Sequence, residues 1–320
     1  MNPELAGAYA YCEQLARTHY ENFPVASRLL PARMRPHVAA VYAFARLADD
    51  MADEGDRPAA GRLADLDAWD ACLNAAALGA VQRGEPNADV FLALRHTIEA
   101  CRLPVQLLHD LISAFKQDVT VKRYATWAEL MDYCRRSANP VGRLVLRIAG
   151  HDRPELDAAS DAVCTALQLT NFWQDVEVDW ARGRLYVPSS TWQAAGALES
   201  DLAARRMTPS WREALKDAVE RTRALFEAGA PVCDGVRGRL RWELRATWLG
   251  GTRILDKLEA ANFDMFAHRP KLTGMDVPVI AWRTATWTRD RGCSDRRPRD
   301  PGPSDPGPRD SGRREQGTRD

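Results

Sequence analysis

In the segment VYAFARLADDMADEGD, four ionisable residues, Arg46, Asp49, Asp50 and Asp53, fall at i, i+3, i+4 and i+7. At 3.6 residues per turn, that spacing gathers them into one helical stripe about 100° wide. Val38, Val41, Tyr42 and Ala45 lead up to it at the same spacing, so the acidic end prolongs a stripe that packs inward. A second set lies in QLTNFWQDVEVDWARGRLYVP, where Gln168, Asn171, Asp175 and Asp179 fall at i, i+3, i+7 and i+11. These share a sector of about 80° on a helical wheel. Phe172 and Trp173 accompany them, and Arg182, Arg184 and Tyr186 follow Gly183, where the helix is expected to stop.

Carboxylates four residues apart on a helix repel one another, so each pair needs either bulk water or a cation. A lone Asp-x-x-x-Asp is most simply a solvated helix face. Two such pairs about 125 residues apart, each beside apolar and aromatic positions, favour a shared divalent-metal site. Hard oxygen donors select Mg²⁺, which takes one or two carboxylates, several waters and phosphate oxygens of a substrate. A diphosphate substrate follows, with Arg46 and Arg184 as donors to its oxygens. Arg269 and Lys271 are further candidates for phosphate, or else surface residues. Loss of diphosphate leaves a carbocation, which needs an apolar, partly aromatic wall to keep water away. Tyr20, Phe23, Phe44, Tyr133, Phe172 and Trp173 are the candidates for that wall, although each taken singly is more simply a core residue. The first face pairs its carboxylates with a cation and the second pairs them with neutral amides, so the second is expected to take the larger share of the metal.

The elements that must carry these faces are helices. From the start to about residue 282, apolar residues recur at three- and four-residue spacing and strand-like alternation is scarce. Prolines and glycines divide the run into about eight to eleven helices. Asp152 as a cap, with Pro154 in the first turn, predicts a helix running to Trp180. Thr208-Pro209-Ser210 predicts another running to about Ala228. The fold class is therefore all-α, a single helical domain over 1–283. From 284 to 320 the chain turns to Arg, Asp, Pro, Gly and Ser, a composition that reads as a disordered tail.

Lys+Arg and Asp+Glu balance at 44 each, so net charge gives no reason to expect a nucleic-acid partner. Seven dispersed cysteines, with no C-x-x-C pair, suit reduced thiols in a cytoplasm and leave no structural zinc site. The first twenty residues lack the basic and apolar regions of a signal peptide, and no apolar run near the front approaches a membrane span. Membrane contact, if any, is peripheral, on the inner face. No Glu-x-x-His pattern supports a di-iron site, and H-E-x-x-H, G-x-S-x-G, P-loop and G-x-G-x-x-G motifs are absent.

At its two acidic segments the sequence resembles the squalene/phytoene synthase family, over about residues 10 to 283. Arg46-Leu-Ala-Asp49-Asp50-Met-Ala-Asp53 is similar to the family's first motif, and Gln168 through Asp179 to its second. The resemblance implies an isoprenoid synthase-type helical bundle around a central cavity, with two Asp-rich helices facing each other across Mg²⁺ and a diphosphate. NFPVASRLLP at 22–31, SANPVGRLVLRIAG at 137–150 and TNFWQDVEVDWARGRLYVP at 170–188 resemble the bacterial hopanoid-pathway branch, its hydroxysqualene synthases more than its presqualene diphosphate synthases. That branch implies ionisation of presqualene diphosphate, rearrangement of the cation and capture by water, with no reductant and with hand-over of the product to other enzymes of the pathway.

The expected site thus has Asp49, Asp53, Asp175, Asp179 and Tyr186 as catalytic residues, and Asp49, Asp53, Asn171, Asp175 and Asp179 on the metal. Arg46, Asp50, Tyr20, Phe23, Tyr133, Gln168, Asn171, Phe172, Arg184 and Arg269 are expected to meet the substrate. Two other readings stay open: head-to-head condensation of two prenyl diphosphates, and a non-catalytic helical lipid-binding scaffold whose acidic stripes are merely solvated.

Overall fold

The structure, a computed structural model, describes residues 2–18, 29–81, 84 and 86–287. Tyr20, Phe23 and His19 lie outside the described residues, as does the expected tail past Trp287. Among the described residues, fifteen helices follow one another: α1 (Pro3–Thr18), α2 (Arg35–Asp53), α3 (Ala59–Ala77), α4 (Ala88–Cys101), α5 (Val105–Thr120), α6 (Trp127–Ser137), α7 (Asn139–Ile148), α8 (Pro154–Gln174), α9 (Val176–Ala181), α10 (Ser189–Ala194), α11 (Glu199–Ala203), α12 (Pro209–Gly229), α13 (Val232–Gly235), α14 (Gly238–Ala260) and α15 (Asp276–Thr286). The count exceeds the expected eight to eleven because α9, α10, α11 and α13 are one or two turns each, too short for a periodic signal.

α2 begins with Pro36 in its first turn, where a missing N–H costs nothing. Its apolar face buries Val38, Val41, Phe44 and Ala48 against α1, α4 and α5. At its other end the guanidinium of Arg62, on α3, donates to the carbonyls of Ala52 and Gly55. That contact satisfies carbonyls left over by the helix and brings a cation beside Asp53.

α8 is the other central element, packed on α7, α12 and α14. It starts as expected at Pro154, but Arg153 is the cap residue and makes no side-chain capping bond, while Asp152 pairs with Arg147 at 3.0 Å. It also stops short of Trp180: the backbone leaves helical geometry at Asp175 and resumes as α9. Thr208 caps α12 as its sequence predicts, accepting from Trp211 N at 3.4 Å. α7 approaches α8 closely at Gly142, where a Cβ would lie 2.2 Å from Ser160 Oγ and 2.6 Å from Cys164 Sγ, so no larger residue fits.

Gly183, at φ +75°, turns the chain out of α9. The following segment then pairs with the α5–α6 connection through the β-bridge between Arg123 and Leu185, with Leu185 N donating to Lys122 O at 3.0 Å and Ser189 N to Tyr124 O at 2.9 Å. That short pairing fixes Arg184 and Tyr186 against α5, across from the end of α2.

Candidate active site

The acidic end of α2 opens into a cavity of about 760 Å³ lined by Asp49, Asp50, Asp53 and Glu54 and by five cations, Arg46, Arg62, Lys122, Arg182 and Arg184. Arg46 reaches back along its own helix to Asp50 at 2.7 Å and Glu54 at 3.1 Å. Arg184 crosses from beyond α9 and grips Asp53 with both terminal nitrogens, Nη1 to Oδ2 at 2.8 Å. Burial would raise the Asp53 pKa, but the Arg184 hydrogen bonds and charge hold it below the ordinary carboxylate value. The same pairing pushes Arg184 further into its charged form.

Asp49 is not clasped in this way; Arg46, on its own helix, comes no nearer than 3.7 Å. Its side chain is 43% accessible, but within a concave wall rather than to open solvent. Burial among protein atoms, then the charge of Asp53, raise its pKa to about 6. On the second segment, Asp179 is raised to about 7, first by burial and then by Asp175. Asp53 also acts on it electrostatically, so the two acidic segments do come together. Asp175 is held by Arg269, with Nη2 to Oδ2 at 3.0 Å and Nε to Oδ1 closing the second bond. The expected contrast between a cation-paired first face and an amide-paired second face is therefore not found: each carboxylate pair has one member clasped by an arginine from a distant segment.

Behind the mouth, an apolar cavity of about 290 Å³ is lined by Val38, Val41, Leu111, Phe115, Leu144 and Ile148, with Arg46 and Asp49 at the shared end. Ser137, Val141, Gln168 and Asn171 line this inner cavity and also a rear cavity of about 550 Å³ bounded by α14, Arg269, Lys271 and Leu272. Gln168 and Asn171 thus face the lumen as their spacing implies.

Asp118, on α5, is a site residue that the motifs do not reveal. It is buried on the inner cavity wall, and Tyr133 donates its hydroxyl hydrogen to Oδ2 at 2.9 Å. Its other oxygen, Oδ1, is buried without a hydrogen-bond partner. Burial raises its pKa to about 7, and the charges of Asp53 and Asp49 add to the rise. The signal for it was available: Leu111, Phe115 and Asp118 follow four- and three-residue spacing, so Asp118 continues an inward stripe as Asp49 does on α2.

The aromatic candidates divide. Tyr133 lines the inner cavity, and Tyr186 stacks on Phe172 with ring centroids 3.6 Å apart, 6.3 Å from Tyr133. Burial pushes both tyrosine hydroxyls well above the ordinary phenol range, so they stay protonated donors. Phe44 packs instead on Trp69 and Phe91, and Trp173 donates to Thr222 on α12 at 2.8 Å. Both lie in the core, on the helix sides turned away from the lumen.

Among the described residues, no three His, Cys, Asp or Glu side chains already converge on a metal position. The donor chemistry nevertheless fits a hard divalent cation. The unclasped carboxylates are all oxygen donors, three of them hold protons more tightly than usual because of burial and then neighbouring acids, and Asp118 Oδ1 is an orphaned acceptor. The six described cysteines form no disulfide.

A chain with this architecture has known relatives. The sequence profile of squalene/phytoene synthases matches residues 16–276. A hydroxysqualene synthase of Zymomonas mobilis is 41% identical over 65% of this chain and 68% of the relative, and one of Rhodopseudomonas palustris is 36% identical over 77% and 82%. The crystal structure of squalene synthase HpnC from Alicyclobacillus acidocaldarius superposes with a TM-score of 0.77 at 40% identity, covering 82% of this chain and 97% of that one. A dehydrosqualene synthase structure, 22% identical with a TM-score of 0.78, shares the fold. With most of its length matched by that profile and by these relatives, the chain belongs to the squalene/phytoene synthase family.

Proposed function

We propose that the chain is a hydroxysqualene synthase that ionises presqualene diphosphate and captures the rearranged cation with water, releasing hydroxysqualene and diphosphate. The observation that carries this reading is the junction at Arg46 and Asp49 between a charged mouth and an apolar cavity. A lipid diphosphate has that same polarity. Relatives named hydroxysqualene synthase, at 34–41% identity, support the choice within the family.

In this reading Asp49, Asp53, Asn171, Asp175 and Asp179 hold Mg²⁺, with the orphaned Asp118 oxygen close to the same charges. Bound there, the metal neutralises charge building on the departing diphosphate. Arg46, Lys122, Arg182 and Arg184 offer donors to the phosphate oxygens and hold the head group at the mouth. The C–O bond breaks with its electron pair leaving on diphosphate, while the aliphatic walls exclude bulk water from the cation. Tyr133, kept protonated and donating to Asp118, presents its ring to the lumen, and Tyr186 and Phe172 back it with a second aromatic layer.

Purified protein incubated with Mg²⁺ and either presqualene diphosphate or farnesyl diphosphate, with products identified by mass spectrometry, tests the assignment. Hydroxysqualene from presqualene diphosphate is expected. Squalene, phytoene-type or cyclopropyl product from farnesyl diphosphate alone would assign the chain to head-to-head condensation instead.

A cytoplasmic protein acting on such lipids must exchange them with a bilayer. No helix among the described residues is long and apolar enough to cross one. Met275, Val277, Val279 and Trp282 are exposed on and beside α15, next to Leu272, which lines the rear cavity. This face is proposed to rest on the inner membrane leaflet, where the product passes to later enzymes of the pathway. Sedimentation with anionic liposomes is expected, and Trp282→Glu should weaken it; full recovery of wild type in the supernatant would remove the proposal.

A further inference from the structure

The residue that decides where water enters the reaction is not among the charged groups of the mouth. Ser137 is the last residue of α6, and its Oγ is buried with no hydrogen-bond partner. It does not take even the carbonyl one turn back that helical serines commonly use. A buried hydroxyl left in this state costs about 1–3 kcal/mol, a cost usually avoided unless a ligand or water supplies the partner.

Its position says which ligand. Ser137 lines both the inner and the rear cavity but not the charged mouth. Its companions on the inner wall include the aliphatic side chains of Val38, Val41, Leu111, Leu144, Val145 and Ile148. No phosphate belongs among them, and hydrocarbon has no use for a hydroxyl. Two amide side chains share the same two linings, Gln168 and Asn171, and Gln168, which is not assigned to the metal, adds both donors and an acceptor. A single water needs two or more polar partners to be held in such a place, and a hydroxyl with an amide meets that requirement.

We propose that Ser137, together with Gln168, positions the water that captures the carbocation. The inference rests on the hydroxysqualene synthase reading above. The water oxygen gives a lone pair to the cationic carbon and forms the new C–O bond. The resulting oxonium passes its proton to the departed diphosphate, and nothing is oxidised or reduced. Placement along the lumen selects the cation: water at the mouth would trap the first, unrearranged carbocation, whereas water at Ser137 meets the chain deeper in the cavity. Rotation about χ1, the only torsion that moves the oxygen, turns the hydroxyl from the wall toward the lumen.

The test uses the full-length chain with Mg²⁺ and presqualene diphosphate in ¹⁸O-water, comparing wild type with Ser137→Ala, Ser137→Val and Ser137→Thr. Wild type is expected to give hydroxysqualene carrying one ¹⁸O. Ser137→Ala and Ser137→Val should lower the ratio of alcohol to proton-loss hydrocarbon by about tenfold, the loss of about 1.4 kcal/mol of preference, with substrate consumption changed far less. Ser137→Thr, which keeps a hydroxyl, should keep the alcohol. A structural role would lower the melting temperature and consumption together and leave the product ratio alone. An unchanged ratio in both hydroxyl-free variants overturns the inference while the parent reading stands. Wild type that makes no alcohol overturns the parent reading, and this one with it.

Discussion

The two ends of α2 carry polar clusters of opposite character. At its start, His37 Nδ1 lies 3.1 Å from Tyr9 Oη and 3.0 Å from Thr97 Oγ1, while Tyr9 Oη also meets His96 Nδ1 and Thr97 Oγ1, each at 2.8 Å. Four side chains from α1, α2 and α4 satisfy one another around one phenol oxygen, and the His37 and His96 rings stack. At its finish, Asp49, Asp50 and Asp53 face further acids from α5 and α9, raised proton affinities and an orphaned oxygen. A satisfied cluster holds helices together, whereas buried acids of raised proton affinity and an unbonded oxygen lower stability until something binds, even with arginines close by. The same helix is thus clamped at one end and prepared for a ligand at the other.

If that contrast is right, neutralising the acidic end should remove function and spare the fold. Asp49→Asn and Asp175→Asn are each expected to lower turnover of presqualene diphosphate by a factor of about 10²–10³, the loss of about 3–4 kcal/mol of transition-state stabilisation. Asp49→Asn should at the same time raise the melting temperature above pH 7, because it relieves a charge that burial and Asp53 both disfavour. Wild-type turnover in both variants would show that the acidic stripes are merely solvated faces of a scaffold.

The arginine clasps give the next largest effect. Arg184→Gln frees Asp53 and removes one phosphate donor, so kcat/KM should drop about 10–100-fold, the range for one charge-assisted contact of about 1.4–2.8 kcal/mol. If Arg184 only braced the loop after α9, melting temperature would fall and the kinetics of the remaining folded enzyme would not change.

What the sequence made legible was periodicity. The inward stripe of α2 and the capping of α12 both follow from spacing along a single helix. What it hid depends on contacts between segments far apart in the chain. Arg269 meets Asp175 across 94 residues and Arg184 meets Asp53 across 131, and no local pattern specifies either. Asp118 was hidden differently: its stripe was readable, but one acid without a partner motif looks like any other helical aspartate. Phe44 and Trp173 show the converse. Proximity in sequence to a motif placed them beside the site, yet Phe44 lies five positions before Asp49 and Trp173 two before Asp175, offsets of about 140° and 160° around a helix, and both ended in the core. The break at Asp175 had no proline or glycine to announce it.

The clamped end should respond in the opposite sense to the acidic end. Tyr9→Phe deletes the hydroxyl that three partners share, leaving polar groups of α2 and α4 underbonded. Stability is expected to drop by about 1–3 kcal/mol in denaturant or thermal unfolding, with turnover per folded molecule unchanged. A loss of turnover at unchanged stability would mean that the hub belongs to the site after all, and the contrast between the two ends would fail.

The smallest effect sharpens the same contrast through pH. Burial, and then the neighbouring His96, hold the His37 pKa below its ordinary value of 6.5. The unfolded chain therefore takes up a proton at a higher pH than the folded chain does. The contribution is fully present above pH 6.5 and is lost as pH falls through the lower folded value. Buried acids such as Asp49 and Asp118 titrate with the opposite sign, so total stability against pH would mix the two. The difference between wild type and His37→Asn isolates the hub. That difference should be largest near pH 7.5 and shrink toward pH 5, by less than the whole Tyr9→Phe loss. A difference that stays constant over this range would mean that His37 takes up its proton at the same pH in the folded and the unfolded chain, so that burial in the clamp does not disfavour its charged form.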